Sequence, residues 1–141
     1  MSLENLLAIN RLFRHDSTPE SIRKLIAAAE RNLADARATN ISVENRFDAA
    51  YKAIMQCAMA ALWAKGYRTS TSEPGHHQLV IQVLPKTLDV ANDVVIVLDA
   101  LRKQRNLTDY SGDTVSDATL SECIDQAELL LKRVRDARIA K

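Results

Sequence analysis

Arg102, Arg105, Asn106 and Asp109 are the side chains whose types and spacing most readily do chemistry. They follow Val90, Val94, Val97, Leu98 and Leu101, whose helical spacing extrapolates onto Arg105 and Thr108. A guanidinium therefore stands where the pattern asks for a core residue. An unpaired buried guanidinium is very costly, so Arg105 must meet a carboxylate or open into a groove or a subunit interface. Asp109, four residues on and nearly on the same face, is the nearest candidate. Arg102 and Asn106 flank that face with further donors. Such a cluster at the mouth of a helical bundle suits a phosphate or nucleotide, because guanidinium forks match phosphate oxygens in pairs. The plain alternative is a helix that ends near Gln104, leaving Arg105 and Asp109 as a surface ion pair worth under about 1 kcal/mol.

Other reactive side chains fall into less informative settings. His76 and His77 are adjacent, so on a helix they point about 100° apart and cannot share a metal as an i, i+4 pair could. Together with His15 they lack Cys or carboxylate partners at ligand spacing; no metal and no cofactor is expected, and the pair reads as a helix start beside Pro74-Gly75. Cys57 and Cys123 sit in helical stretches with no CxxC spacing and are read as reduced core residues. Trp63 and Tyr67 are read as core or interface aromatics, with base stacking as the alternative. There is no phosphate-binding Gly-rich loop, GxSxG elbow or HExxH. The basic run from Lys132 to Arg138, interrupted by Asp136, belongs to a solvated helix face that could add weak, salt-sensitive nucleic-acid contact.

The elements that must position these residues are helices. Of 141 residues, 47% are hydrophobic and 26% charged, with only three Gly and three Pro, a balance that suits long helices in one domain spanning 1–141. Nineteen basic side chains against eighteen acidic ones give no global field toward nucleic acid or an anionic membrane, so any such site is local. The opening MSLENLLAINRLFRHD has no basic leader, and no window reaches the roughly 20 apolar residues of a membrane span. The expected compartment is the cytoplasm.

A short N-terminal helix is expected from about Leu3 to Phe13, within a leading segment 1–16, and the bundle occupies 17–138. Ser17, with Glu20 completing a capping box and Pro19 in the first turn, starts a second helix carrying Ile22, Leu25, Ile26, Ala29, Leu33 and Ala36 on one stripe. Ser42 opens a third, lined by Phe47, Tyr51, Ile54, Ala58, Ala61 and Leu62 and closed by Lys65-Gly66; its alanines favour close helix contacts. Tyr67 to Gly75 reads as a loop, His76 to Leu84 as a short helix ended by Pro85, and Leu88 to Arg105 as the next helix. After a turn at Ser111-Gly112-Asp113, the last helix aligns Leu120, Ile124, Ala127, Leu131 and Val134. Four long amphipathic helices plus short ones bury their faces most simply as an all-α, up-and-down antiparallel bundle.

The run Leu101-Arg102-Lys103-Gln104-Arg105-Asn106-Leu107-Thr108-Asp109-Tyr110-Ser111-Gly112 resembles the signature of the HEPN domain superfamily, an Arg, often followed by Asn, then four to six residues and a His. The stretch Arg46 to Ile54, leading to Ala64-Lys65-Gly66, is similar to the family's helix rich in small residues and tyrosine. The resemblance spans roughly Ser17 to Arg138. It implies a bundle that dimerises so that two Arg motifs face one cleft, and, in active members, metal-independent RNA cleavage with the Arg on the scissile phosphate and the His moving protons. Many members are encoded beside a small nucleotidyltransferase, as a toxin–antitoxin or related pair. Here Arg105 and Asn106 are kept, but Tyr110 stands where the His is expected. A phenol titrating near 10 is a poor base at pH 7. Gly112 stands where some members carry a Tyr that accepts a nucleotidyl group.

Three functions follow as expectations. The first is a homodimeric nucleotide- or RNA-binding component of a nucleotidyltransferase-associated or toxin–antitoxin-like system, without strong catalysis, binding through Arg102, Arg105, Asn106, Asp109 and Tyr110. The second is a ribonuclease toxin using Arg105, Asn106 and Tyr110 as catalytic residues. The third is a structural adaptor whose bundle takes a partner helix.

Overall fold

The structure, a computed structural model, describes residues 2–70 and 75–140. In chain order its elements are α1 (Leu3–Ala8), β1 (Phe13–Arg14), α2 (Pro19–Ala36), α3 (Val43–Ala64), β2 (Tyr67–Arg68), α4 (His76–Gln82), α5 (Leu84–Thr87), α6 (Asn92–Ser111) and α7 (Asp117–Asp136). The long helices α2, α3, α6 and α7 make the all-α bundle that the apolar spacing predicts. Short connections at residues 37–42 and 112–116 join α2 to α3 and α6 to α7; α2 and α7 pack closely on α3, and α6 packs chiefly on α3 and α4.

Helix α3 is the centre. Its buried Ala50, Ala53, Ala58, Ala60 and Ala61 leave room for α2 and α7 to approach, and α4, α5, α6 and β2 also pack on it. Phe47, Tyr51, Ile54 and Leu62 fill the core with Leu33 and Ala36 of α2 and Leu120, Ala127, Leu131 and Val134 of α7. Cys57 and Cys123 are buried and unbridged, and burial pushes each thiol up to about 12.

The starts and stops explain why the elements end where they do, and several differ from expectation. The cap of α2 is Thr18 rather than Ser17: the Thr18 hydroxyl accepts from the Ser21 backbone N–H, and the Ser21 hydroxyl accepts from that of Thr18. Pro19 forces this choice, because the residue before a proline is driven to the extended backbone that an N-cap needs. Ser17 donates instead to the Trp63 carbonyl at 3.0 Å. Helix α1 stops at Ala8 rather than Phe13, as the chain reverses through Asn10 at φ 62°. That reversal lets Phe13–Arg14 pair antiparallel with Tyr67–Arg68, a stretch read from sequence as loop. Residues 71–74, including the expected Pro74 turn, lie outside the described residues.

Pro85 does not end a helix; it sits in the first turn of α5, where its missing N–H has no helical partner to lose. The step from α4 to α5 keeps α4 packed against both α3 and α6. Helix α6 begins later than Leu88, after Asp89 at φ 56°, and runs on past Gln104 to Ser111. Gly112, at φ 68°, then ends it in the left-handed conformation that glycine adopts freely. Among the described residues no helix is long and apolar enough to cross a membrane.

Candidate functional site

Because α6 continues to Ser111, Arg105 lies on a helix, one turn beyond the last buried apolar residue, Leu101. Its side chain is only 24% exposed. Two carboxylates approach its Nε edge: Asp109 Oδ2 on the same helix at 2.9 Å, and Asp48 Oδ1 on α3 at 3.7 Å. The sequence pointed to Asp109 and missed Asp48. These are ion pairs by distance, yet the buried Nε–H is not aimed at either oxygen and makes no hydrogen bond. Among the described residues the terminal Nη groups make none either, so the fork of the guanidinium is left for another acceptor.

The guanidinium lies over an aromatic ring. Its carbon lies 5.5 Å from the centroid of Tyr51, a side chain that α3 buries almost completely. Such a contact contributes roughly 0.5–2 kcal/mol, more as it is desolvated. The Tyr51 hydroxyl in turn lies 3.2 Å from Nδ1 of His77, the second residue of α4. Burial raises the phenol to about 12 despite the opposing field of Arg105 and Arg102. Burial also lowers His77 to about 4, helped by the neighbouring His76 and by Arg105 and Arg102. Both groups are therefore neutral over the physiological range.

Arg102 lies one turn before Arg105 and is committed to Asp99, with Nε 2.8 Å from Oδ1. The hydrogen bond from Arg102 holds the Asp99 carboxyl below its ordinary value. Lys103 also reaches Asp99, and Lys52 reaches Asp48, so four cations surround three carboxylates. The local balance is positive, which favours an anion over a cation. Among the described residues no group of three or more His, Cys, Asp or Glu is placed to hold a metal.

A family model, the HEPN domain, matches residues 22–137. The chain belongs to the HEPN domain family. No curated protein matches it. The matched segment contains α3, α6 and α7, α2 from Ile22 onward, and every residue of the Arg105 cluster.

The five site residues expected from sequence do not converge equally. Arg102, Arg105 and Asp109 share a face of α6. Asn106 is half-buried beside them and makes no hydrogen bond among the described residues. Tyr110 is 84% exposed, and five helical steps turn it about 140° from Arg105. Within one chain it does not enter the cluster. In its place the fold supplies Tyr51, read from sequence as a core residue, and His77, read as a helix start. Asp48 and Tyr51 lie three apart on α3 and so share a face, which was visible in the sequence. Nothing local tied that face to α4 or α6.

Proposed function

We propose that this HEPN domain binds a phosphate-bearing ligand, a nucleotide or RNA, through Arg105, and does so without strong catalysis. One observation carries this: a mostly buried guanidinium lies over the Tyr51 ring, is paired at Nε, and makes no hydrogen bond from its terminal nitrogens among the described residues. A surface ion pair would leave the side chain exposed and unstacked. An incoming phosphate accepts two N–H groups from the fork and competes with Asp109 for the charge. The domain acts as a homodimer within a nucleotidyltransferase-associated or toxin–antitoxin-like pair. Support for the dimer comes from α6, where Ile96, Ala100, Leu107 and Tyr110 form an exposed stripe, Ile96 at 70% and Leu107 at 50%.

The ribonuclease alternative asks Tyr110 to reach the phosphate on Arg105, and the two side chains diverge on α6, so a Tyr110 would have to come from a second copy. The adaptor alternative has its own observation. An apolar groove of about 260 Å³ between α6 and α7, lined by Val90, Val94, Leu98, Leu129 and Leu130, is the kind of surface a partner helix enters.

Titration with ATP and with a short oligoribonucleotide tests the binding. Arg105→Ala should lose a charge-assisted contact of about 1.5–3 kcal/mol, or roughly 10- to 150-fold in affinity, while staying helical by circular dichroism. Equal binding by wild type and variant would sink the assignment. Light scattering at micromolar concentration tests the dimer, and a strictly monomeric mass would remove the shared cleft.

A further inference from the structure

We infer that His77 is a second phosphate-binding residue beside the Arg105 cluster, donating a hydrogen bond from Nε2 to an oxygen of the phosphate on Arg105, a role that rests on the binding function proposed for Arg105. The observation behind it is a chain of contacts across three helices. The Tyr51 ring has the Arg105 guanidinium carbon at 5.5 Å and the His77 imidazole centroid at 6.0 Å. The positive field of Arg105 reaches His77, and an anion held on the far side of the imidazole from Tyr51, between Nε2 and the guanidinium, accepts from both.

The hydrogen-bonding of Tyr51 fixes which nitrogen of His77 faces the ligand as a donor. Tyr51 is 1% exposed, so its hydroxyl proton needs an acceptor within the protein. Among the described residues its hydrogen-bond partner is Nδ1 of His77, at 3.2 Å. With the phenol raised to about 12, the hydroxyl keeps its proton and donates it to Nδ1. A neutral imidazole that accepts at Nδ1 carries its own proton on Nε2. That nitrogen makes no hydrogen bond among the described residues, and His77 is half-buried rather than sealed. Because His77 stays neutral next to Arg102 and Arg105, it adds a donor without adding charge repulsion. The recognised chemistry is a phosphate oxygen, whether of a free nucleotide or of RNA.

The test uses the full chain and two ligands in separate arms, ATP and a short single-stranded oligoribonucleotide; the arm in which the wild type binds identifies the source of the phosphate. In His77→Asn the amide can replace Nδ1 as acceptor for Tyr51 but does not reach the position of Nε2. We expect it to bind about 10-fold more weakly or worse, and His77→Gln, whose amide extends to that position, to retain more affinity. Independently of any variant, nitrogen NMR of the wild-type histidines should show His77 as the Nε2–H tautomer, with that signal shifting when ligand is added. Wild-type affinity in His77→Asn alongside lost affinity in Arg105→Ala would overturn the role of His77 and leave that of Arg105. An Nδ1–H tautomer, or a His77 signal indifferent to a ligand that binds, would overturn it too. Absence of wild-type binding in both arms would overturn the function of Arg105 and with it that of His77.

Discussion

Arg105 lies over the face of Tyr51, with 5.5 Å between the guanidinium carbon and the ring centroid, although the two residues come from different helices. This contact restrains the guanidinium while the carboxylates of Asp109 and Asp48 approach it at Nε. A half-buried guanidinium packed over a ring loses less freedom on meeting a phosphate than a solvated arginine does.

Arg105→Lys keeps the charge and discards the plane. An ammonium can neither stack like a guanidinium nor donate in a fork, so phosphate affinity should fall about 10-fold, with thermal stability little changed. Calorimetric titration checks this, and full retention of affinity would mean that only charge matters at this position.

Asp109→Asn should act in the opposite direction. The Asp109 carboxylate stands 2.9 Å from Arg105 and competes with any incoming anion, and its side chain is on the exposed end of the pair. Removing the charge should tighten phosphate binding several-fold. Since an exposed ion pair contributes under about 1 kcal/mol, the melting temperature should move little. Weaker binding in this variant would make Asp109 a ligand contact rather than a competitor.

His77 makes stability depend on pH in a defined window. Burial, His76 and the two arginines lower it from 6.5 to about 4, so between those values the unfolded chain binds a proton that the folded chain does not. Its contribution is fully present above pH 6.5 and is lost as pH falls toward 4. Thermal melts of wild type and His77→Gln over that range should show the steeper loss in the wild type, because titrations common to both cancel. Parallel curves would mean that His77 is solvated and ordinary.

Purified protein should cleave RNA weakly or not at all, since Tyr110, the residue that the proposed ribonuclease reading would use, is exposed and diverges from Arg105 on α6. Tyr110→His, which puts a group titrating near neutrality on that side of α6, is the substitution most able to create cleavage. Robust metal-independent cleavage by the wild type, lost in both Arg105→Ala and Tyr110→Phe, would instead make Tyr110 catalytic.

What the sequence determined by itself is local or periodic. The apolar spacing along α2, α3 and α7, the serine cap of α3, its Lys65-Gly66 stop and the glycine after α6 each depend on residues within a turn or two, and each is found as expected. The same spacing placed Arg105 and Asp109 on one face of α6. Errors arose where a neighbour or a distant partner decided. Pro19 moved the cap to Thr18, and a strand of two residues at Phe13–Arg14 exists only because Tyr67–Arg68 lies beside it. The tertiary structure alone decided which residues gather around Tyr51. Tyr51 and His77 are far apart in the chain and carry no motif in common; His77 reaches Tyr51, and Tyr51 reaches Arg105, because α4 packs against α3 and α6 and α6 packs against α3. A periodic pattern states which face of a helix is buried. It does not state which other face it is buried against, because that depends on how all the helices together remove their apolar surface from water.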